Sequence, residues 1–250
     1  MKLYKYRDFS NPGEGDFQRL EWLLRLQAFW CARSDTLNDP EEFAWTCDYS
    51  TTDDTPELLI ELLARVQSST HEQARERVMA VLASGHLEVI AGPILEGMIQ
   101  QSRNEFGLVC FGTSSENSIL WKRYGGGGSG ICIELEAPIE LLEEQLFQVQ
   151  YLTSKKIHID QLMRAFLDTR YVREVYSLAL LSKPFFWGPE AEIRFISKKH
   201  GVSVRVDRSQ ITCLVLGGTL NPSVIERIER IANALPYKLR ICKHAAQLIP

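Results

Sequence analysis

Residues 192–216 contain three short apolar runs in close succession: Glu192-Ile-Arg-Phe-Ile196, Gly201-Val-Ser-Val-Arg-Val206 and Cys213-Leu-Val-Leu216. Each run is predicted to be a short strand. A helix is predicted directly after them, over Pro222–Ala234, with Asn221 as its N-cap and proline at its first position. Strands grouped in this way, and not alternating with helices one by one, indicate an α+β fold.

The rest of the chain adds strands and helices on both sides of this stretch. Further strands are predicted at Leu3–Tyr6, Phe29–Ala32, Gly107–Phe111, Gly130–Leu135, Phe147–Tyr151 and Leu239–Cys242. Helices are predicted at Phe17–Gln27 (with Asp16 as a candidate N-cap), Pro56–Val66, Thr70–Leu82, Gly92–Ser102, Ser118–Tyr124 and Ile159–Leu181. We therefore predict a single α+β domain over residues 1–250. It has small mixed or antiparallel sheets and a helical insertion at about residues 55–103.

The composition is that of an ordinary globular protein. The 250 residues are 45% hydrophobic, and 28 Lys and Arg against 32 Asp and Glu give a net charge of −4. A chain of this length buries enough apolar surface to fold without disulfides or a structural metal. The protein therefore lacks the overall excess of positive charge that many nucleic-acid-binding proteins have, although a net charge of −4 is compatible with a local basic patch.

The cysteine spacing and the lengths of the apolar segments allow the cellular compartment to be predicted. The six cysteines include no Cys-x-x-Cys pair, which argues against a zinc site. The first residues carry no apolar signal segment, and no stretch approaches the roughly 18 apolar residues of a membrane span. We expect a cytoplasmic protein with reduced thiols, no metal and no membrane partner.

Two conspicuous features suggest little chemistry. The run Gly125-Gly-Gly-Gly-Ser-Gly130 lies between a helix and a strand and lacks the lysine of a phosphate-binding loop, so we predict a flexible connection. The five histidines are scattered, and no Gly-x-Ser-x-Gly elbow is present, which disfavours metal-dependent and serine-hydrolase chemistry.

The segment Glu190-Ala-Glu192-Ile-Arg194 is more informative. Alternate residues of a strand project to one face, so Glu190, Glu192 and Arg194 are predicted to share a face. Neighbouring carboxylates raise each other's pKa unless a cation compensates, as Arg194 or Lys183 would do here. Such a pair is a candidate site of chemistry. The alternative is an edge strand that carries solvated charges.

Aromatic residues accompany these charges in the sequence. Trp187 precedes the carboxylates, Trp121 and Tyr124 lie one helical turn apart, and Tyr4 and Tyr6 lie on one face of a strand. Aromatic residues at such spacing most often belong to the core.

Several short motifs follow one another along the chain, and their order is informative. They are Leu3-Tyr-Lys-Tyr-Arg7, Leu37-Asn-Asp-Pro-Glu41 (with a turn predicted at Asn38-Asp39-Pro40), Val109-Cys-Phe111, Leu120-Trp-Lys-Arg-Tyr124, Gly130-Ile-Cys-Ile-Glu134, Val149-Gln-Tyr151, Lys183, Trp187 and Glu190-Ala-Glu-Ile-Arg194. Their order and spacing resemble the bacterial DUF2971 family of domains of unknown function over nearly the whole chain. The glycine run departs from that family's pattern.

The arrangement is also similar, more distantly, to ADP-ribosyltransferases, which bind NAD between two small sheets without a Rossmann fingerprint. That resemblance implies that Arg7 holds the NAD phosphates or adenosine ribose, and that Glu192 accepts a hydrogen bond from the nicotinamide ribose. Glu190 would orient the acceptor. The resemblance also implies that Tyr6, Trp121 or Tyr124 stacks on nicotinamide, and Lys183 and Arg194 are further candidate cofactor-binding residues. One departure is that Thr113-Ser-Ser115 follows a strand and does not lie in one.

The resemblance implies an NAD-consuming transferase or glycohydrolase, such as a toxin or an anti-phage effector. NAD would be its substrate, and water, a protein or a nucleic acid the acceptor, with no metal required.

Two other interpretations stay open. One is a non-catalytic module that binds a nucleotide, nucleic acid or protein, with Lys183, Arg194, Lys198 and Lys199 as a basic edge. The other is a structural protein in which Glu190, Glu192 and Arg194 form a salt-bridged edge strand.

Overall fold

The computed structural model describes residues 1–33, 36–37, 45–142 and 144–244, and of residues 91, 94, 95, 99, 102 and 103 the backbone alone. The turn predicted at Asn38-Asp39-Pro40 lies outside these residues. The chain divides into two compact units. Unit 1 comprises Met1–Thr36, Phe106–Val149 and Phe186–Pro250, and unit 2 comprises Leu37–Glu105 and Gln150–Phe185. The single domain predicted over residues 1–250 stays a prediction.

The helices and short sheets confirm the predicted α+β class. In chain order the elements are β1 (Lys2–Arg7), α1 (Glu14–Leu26), β2 (Phe29–Arg33), β3 (Thr46–Asp48), α2 (Thr55–Gln67), α3 (His71–Ser84), α4 (Glu88–Glu105), β4 (Gly107–Phe111), α5 (Ser118–Tyr124), β5 (Ile131–Glu136), β6 (Leu146–Gln148), β7 (Gln150–Leu152), β8 (Lys156–His158), α6 (Ile159–Leu167), α7 (Val172–Leu180), β9 (Ser182–Pro184), β10 (Ile193–Ser197), β11 (Val202–Val204), β12 (Gln210–Leu216), α8 (Pro222–Asn233) and β13 (Arg240–Lys243).

Unit 1 contains two sheets that meet at one point. A four-stranded sheet has the order β1-β5-β12-β13, and a five-stranded antiparallel sheet has the order β11-β2-β4-β10-β6. Tyr4 of β1 and Gly112, which follows β4, exchange two backbone hydrogen bonds of 3.0 and 2.8 Å. This bridge connects the two sheets and gives them a shared pair of faces.

The main core of unit 1 lies on one of these faces. It combines Leu20 and Leu24 of α1 and Ile228 of α8 with Ile133 and Leu214 of the sheet, all of them buried. Helices α1 and α8 have apolar residues at the spacing that places them on one side, so each covers the sheet with that side. Asn221 caps α8 as predicted, because its side chain accepts the backbone N–H of Ser223.

Unit 2 is mostly helical. Its described residues contain α2, α3, α4, α6 and α7 with two small parallel sheets, β3-β8 and β7-β9. Leu59 and Leu62 of α2 pack with Val78 of α3 and with Ile159 and Met163 of α6. The three helices predicted over residues 56–102 are confirmed within one or a few residues at each end.

Three predicted boundaries are wrong for local reasons. The helix expected over 159–181 is broken, because Asp168 adopts an extended backbone and its carboxylate accepts the N–H of Arg170. Asp16 lies in the first turn of α1 and bonds back to the N–H of Gly13 instead of occupying the N-cap. The single strand expected over 147–151 is two strands, β6 and β7, in different units.

The glycine run is a closely packed segment, which corrects the prediction of a flexible connection. A Cβ on Gly130 would lie 2.2 Å from the carbonyl oxygen of Arg7, and one on Gly217 would lie 2.0 Å from that of Gly128. The N–H of Gly217 donates to the oxygen of Gly130 at 2.9 Å. Glycine is required here because two backbone segments approach closely.

No helix among the described residues is both long enough and apolar enough to cross a membrane.

We predict that Gly217→Ala lowers the free energy of unfolding by about 3 kcal/mol, because the new methyl group overlaps backbone that has little room to move. Gly127→Ala is the matched control, since nothing lies within 4 Å of its Cβ and only its φ of +63° opposes the substitution. That control should cost about 1 kcal/mol. Urea unfolding of the two variants measures both values, and equal losses would contradict the close packing.

Candidate functional site

The candidate site begins with a buried ion pair in unit 1. Ile193 and Phe195 of β10 join the main core, so Arg194 projects from the opposite face of the sheet, and its exposure is 0%. Its Nε donates to Glu192 Oε1 at 2.8 Å, and its Nη2 lies 3.5 Å from Oε2. Glu192 is 3% exposed. A buried guanidinium is costly without a carboxylate in good geometry, so this pair holds the start of β10 in place.

Glu190 is not on the strand, which corrects the prediction that it continues the alternation of Glu192 and Arg194. It ends a 3₁₀ helix, Phe185–Glu190, and the next residue, Ala191, has a φ of +46°. A left-handed residue reverses the direction of the chain, so the alternation of a strand does not extend across it. Glu190 and Glu192 therefore have different surroundings.

Glu190 is reached from the surface by two side chains of α5. Arg123 Nη1 and Tyr124 Oη both donate to Glu190 Oε1, each at 3.0 Å. The Glu190 side chain is 2% exposed, whereas that of Arg123 is 38% exposed. The Arg123 guanidinium also lies 4.3 Å above the centre of the Trp187 ring, within the range of a cation–π contact. We call these four residues, Arg123, Tyr124, Trp187 and Glu190, the Glu190 surface.

Helix α5 is held at both ends against the segment that carries Glu190. The Asn117 side chain caps α5 by accepting the N–H groups of Ile119 and Leu120, and its Nδ2 donates to the oxygen of Pro189 at 2.9 Å. Trp121 is buried, and its Nε1 donates to the oxygen of Ser115. These contacts fix α5, so its last two residues meet Glu190.

Two of the aromatic rings predicted to stack on nicotinamide are engaged in packing. The Tyr6 and Trp121 rings meet edge to face at 5.2 Å, and His244 stacks on Trp121 at 4.8 Å. Burial raises the pKa of Tyr6, whose Oη donates to the oxygen of Ser114. Of the three predicted rings, the half-buried Tyr124 is the one that bonds to Glu190.

Arg7 lies on the other face of β1. It pairs with Ile131, which belongs to the main core, whereas Tyr6 pairs with Cys132 and packs in the cluster around Trp121. Burial and the charge of Arg19 lower the pKa of Arg7, and Asp16 opposes them. The structure therefore does not bring Arg7 to the sheet face that carries Trp121.

The four cations Lys183, Arg194, Lys198 and Lys199 do not form the basic edge that was predicted for them. Lys183 is buried in β9 of unit 2, in register with Tyr151, and Arg194 is buried in unit 1. Only Lys198 and Lys199 of the four are exposed. The expected edge strand is also wrong, because β10 lies between β4 and β6.

Arg123 and Trp187 were not among the predicted site residues. Trp187 precedes the carboxylates within the same short segment, which is a signal that sequence reasoning could have used. Arg123 directly precedes Tyr124 in the sequence. Neighbouring residues of a helix do not face the same side, so the sequence gives no indication that both bond to Glu190.

Ser50, His158 and Asp160 of unit 2 are grouped like a serine-hydrolase triad, but their hydrogen bonds differ from those of a triad. His158 Nε2 lies 3.2 Å from Ser50 Oγ, but its Nδ1 accepts the N–H of Asp160. The Asp160 carboxylate accepts hydroxyl hydrogen bonds from Thr52 and Thr55. A nucleophilic serine needs the opposite tautomer, with Nδ1–H donating to the carboxylate. His158 therefore caps α6.

Within the part of the chain that the structure describes, no three His, Cys, Asp or Glu side chains converge as metal ligands would. The predicted absence of a metal stays a prediction.

We predict that Glu192→Ala lowers the free energy of unfolding by about 3–5 kcal/mol, because it removes a carboxylate that is bonded to a fully buried guanidinium. Glu21→Ala is the control, since Glu21 forms an exposed pair with Arg25 at the same Nε–Oε1 distance of 2.8 Å. That variant should lose less than about 1 kcal/mol. Denaturant unfolding compares them, and a small loss for Glu192→Ala would contradict the role of the ion pair.

Comparison of the chain with family models, with curated proteins and with solved structures finds no match.

Proposed function

We propose that unit 1 binds NAD or a related nucleotide at the Glu190 surface and cleaves the bond between nicotinamide and ribose. One observation carries this proposal: a buried carboxylate, Glu190, is bonded to the exposed Arg123, which stacks on Trp187. A guanidinium suits the phosphates of a dinucleotide, and the half-buried rings of Tyr124 and Trp187 suit its bases. The carboxylate suits the ribose that lies between them.

The chemistry needs little besides a positioned negative charge. The bond between ribose C1′ and the pyridinium nitrogen breaks, its electron pair goes to that nitrogen, and nicotinamide leaves as a neutral molecule. Positive charge develops on the ribose, and a carboxylate beside it stabilises this transition state more than the ground state. Water then adds to C1′ and releases a proton, which gives ADP-ribose; another nucleophile in its place would give a transfer reaction.

Arg123 has two roles in this proposal. In the free protein it bonds to Glu190, and with nucleotide bound it turns to the phosphates, which frees the carboxylate for the ribose hydroxyls. Arg123 can make this exchange because its side chain is 38% exposed, and the ribose hydroxyls then replace it as partners of the buried Glu190 carboxylate. Tyr124 keeps its hydrogen bond to Glu190 Oε1 and so holds the carboxylate in position.

The roles proposed here differ from those that the transferase resemblance implies. Glu190 takes the part that the resemblance gives to Glu192, because the Glu192 carboxylate is bonded to the buried Arg194. Arg123 takes the part that the resemblance gives to Arg7, which lies on the opposite face of β1 from Tyr6.

A second candidate function is nucleotide binding without turnover. Two observations favour it. Arg7 lies on the opposite face of β1 from Tyr6, and Glu192 is bonded to Arg194, so neither residue is placed as the transferase resemblance implies. An aromatic ring with a guanidinium stacked on it holds a nucleobase without any reaction.

The wider setting is part of the proposal. We place the protein in the cytoplasm, with NAD as its substrate and no metal, and a protein or nucleic acid as an acceptor besides water. We also propose that the protein acts as a toxin or anti-phage effector and that it belongs to the DUF2971 family.

The test is release of nicotinamide from NAD, followed by chromatography, alongside NAD binding measured by calorimetry. We expect release by the wild type and a loss of at least about 100-fold in Glu190→Gln, the size of effect seen when one charge-stabilising group is removed. Glu140→Gln, at an exposed carboxylate, is the control and should match the wild type.

Binding of NAD without release would overturn the cleavage and favour the second candidate. Neither binding nor release would overturn both.

A further inference from the structure

One face of β13 and the residue just after it contact the rest of unit 1 through the side chains of Arg240, Cys242 and His244. It lies at the end of the four-stranded sheet and pairs in parallel with β12. Arg240 Nη2 lies 2.9 Å from Glu134 Oε1. Two residues later Cys242 meets Cys213, and His244, just beyond the strand, stacks on Trp121.

The middle contact is between two thiols. Cys213 Sγ and Cys242 Sγ are 3.2 Å apart. In the parallel ladder Cys213 pairs with Arg240 and Cys242 pairs with Val215, so the two cysteines lie on one face, two residues out of register. A disulfide needs a separation of about 2.05 Å, so the sulfurs must approach by roughly 1.1 Å. Among the strands that the structure describes, β13 has a neighbour on one side only, and a strand in that position can shift by this distance more easily than a central one.

The two thiols differ in exposure. Of the six cysteines, all of which the structure describes, Cys242 alone is exposed, and Cys213 is buried. Burial raises the pKa of Cys213 to about 12, with a further contribution from the adjacent Cys242. Cys213 therefore stays protonated and shielded, and an oxidant in solution meets Cys242 first.

We propose that Cys213 and Cys242 form a redox-modification site, at which a peroxide converts the two thiols to a disulfide that joins β13 to β12. Cys242 sulfur attacks hydrogen peroxide, the O–O bond breaks, and the products are a sulfenic acid on Cys242 and one water. Cys213 sulfur then attacks the Cys242 sulfur, the S–O bond breaks, and its hydroxide leaves with the Cys213 proton as a second water. The two thiols are oxidised by two electrons in total, and the peroxide is reduced by two.

The disulfide has a structural consequence at the candidate site. It fixes β13, and with it the ring of His244 over Trp121, the buried anchor of the helix that carries Arg123 and Tyr124. It also closes a loop in the unfolded chain, which lowers the entropy of that state. Oxidation should therefore raise the unfolding temperature. This inference does not depend on nucleotide binding or cleavage.

The experiment treats the reduced full chain with a slight excess of hydrogen peroxide and then blocks the remaining thiols. We expect four alkylated cysteines instead of six, a mass lower by two hydrogens before alkylation, and a cross-linked peptide that joins Cys213 to Cys242. The unfolding temperature should rise by several degrees, and a thiol reductant should reverse the change.

Cys242→Ser is the decisive variant, because its position is exposed and the substitution leaves the buried Cys213 intact. It should form no intramolecular cross-link and show no rise in unfolding temperature on oxidation. Cys110→Ser, at a half-buried cysteine, is the control and should cross-link as the wild type does. Oxidation of wild-type Cys242 to sulfinic acid, a cross-link between two chains, or a disulfide between other cysteines would overturn the proposal.

Discussion

A fully buried guanidinium in the interior of a sheet requires fixed opposite charge, and the start of β10 is arranged so that Arg194 has it. Arg194 lies in β10, between two other strands, where water does not reach it. Glu192 supplies the charge from the residue just before the strand begins. The chain bends just before Glu192, where Ala191 has a φ of +46°. That bend leaves Glu190 beneath α5, bonded to Arg123 and Tyr124.

Two carboxylates only two residues apart therefore have separate tasks. Glu192 bonds to a buried arginine and stabilises the sheet, whereas Glu190 bonds to side chains that extend to the surface. Tyr124 of the Glu190 surface and Cys213 of β12 pack in the same cluster as Trp121, and His244 stacks on the Trp121 ring, so the proposed redox site and the proposed binding surface adjoin one group of side chains.

Much of the fold could be predicted from local patterns. Strands β4, β5 and β12 have short apolar runs, β1 has alternating aromatic residues, and α8 has a clear cap at Asn221, so each was predicted close to its position. The site was harder to predict. The left-handed backbone at Ala191 has no sequence signal, because alanine seldom adopts it. Alternation along β1 places Arg7 on the opposite face from Tyr6, but which of the two faces carries Trp121 is a property of the assembled sheet.

The most direct test of this division is a crystal structure with an NAD analogue that resists cleavage, in which a methylene group replaces the ring oxygen of the nicotinamide ribose. The account predicts that the ribose hydroxyls bond to Glu190, that Arg123 turns to the phosphates, and that the Glu192–Arg194 pair is unchanged. A ligand bound to Glu192, with Arg194 released from it, or a ligand bound beside Arg7 and α1, would contradict the account.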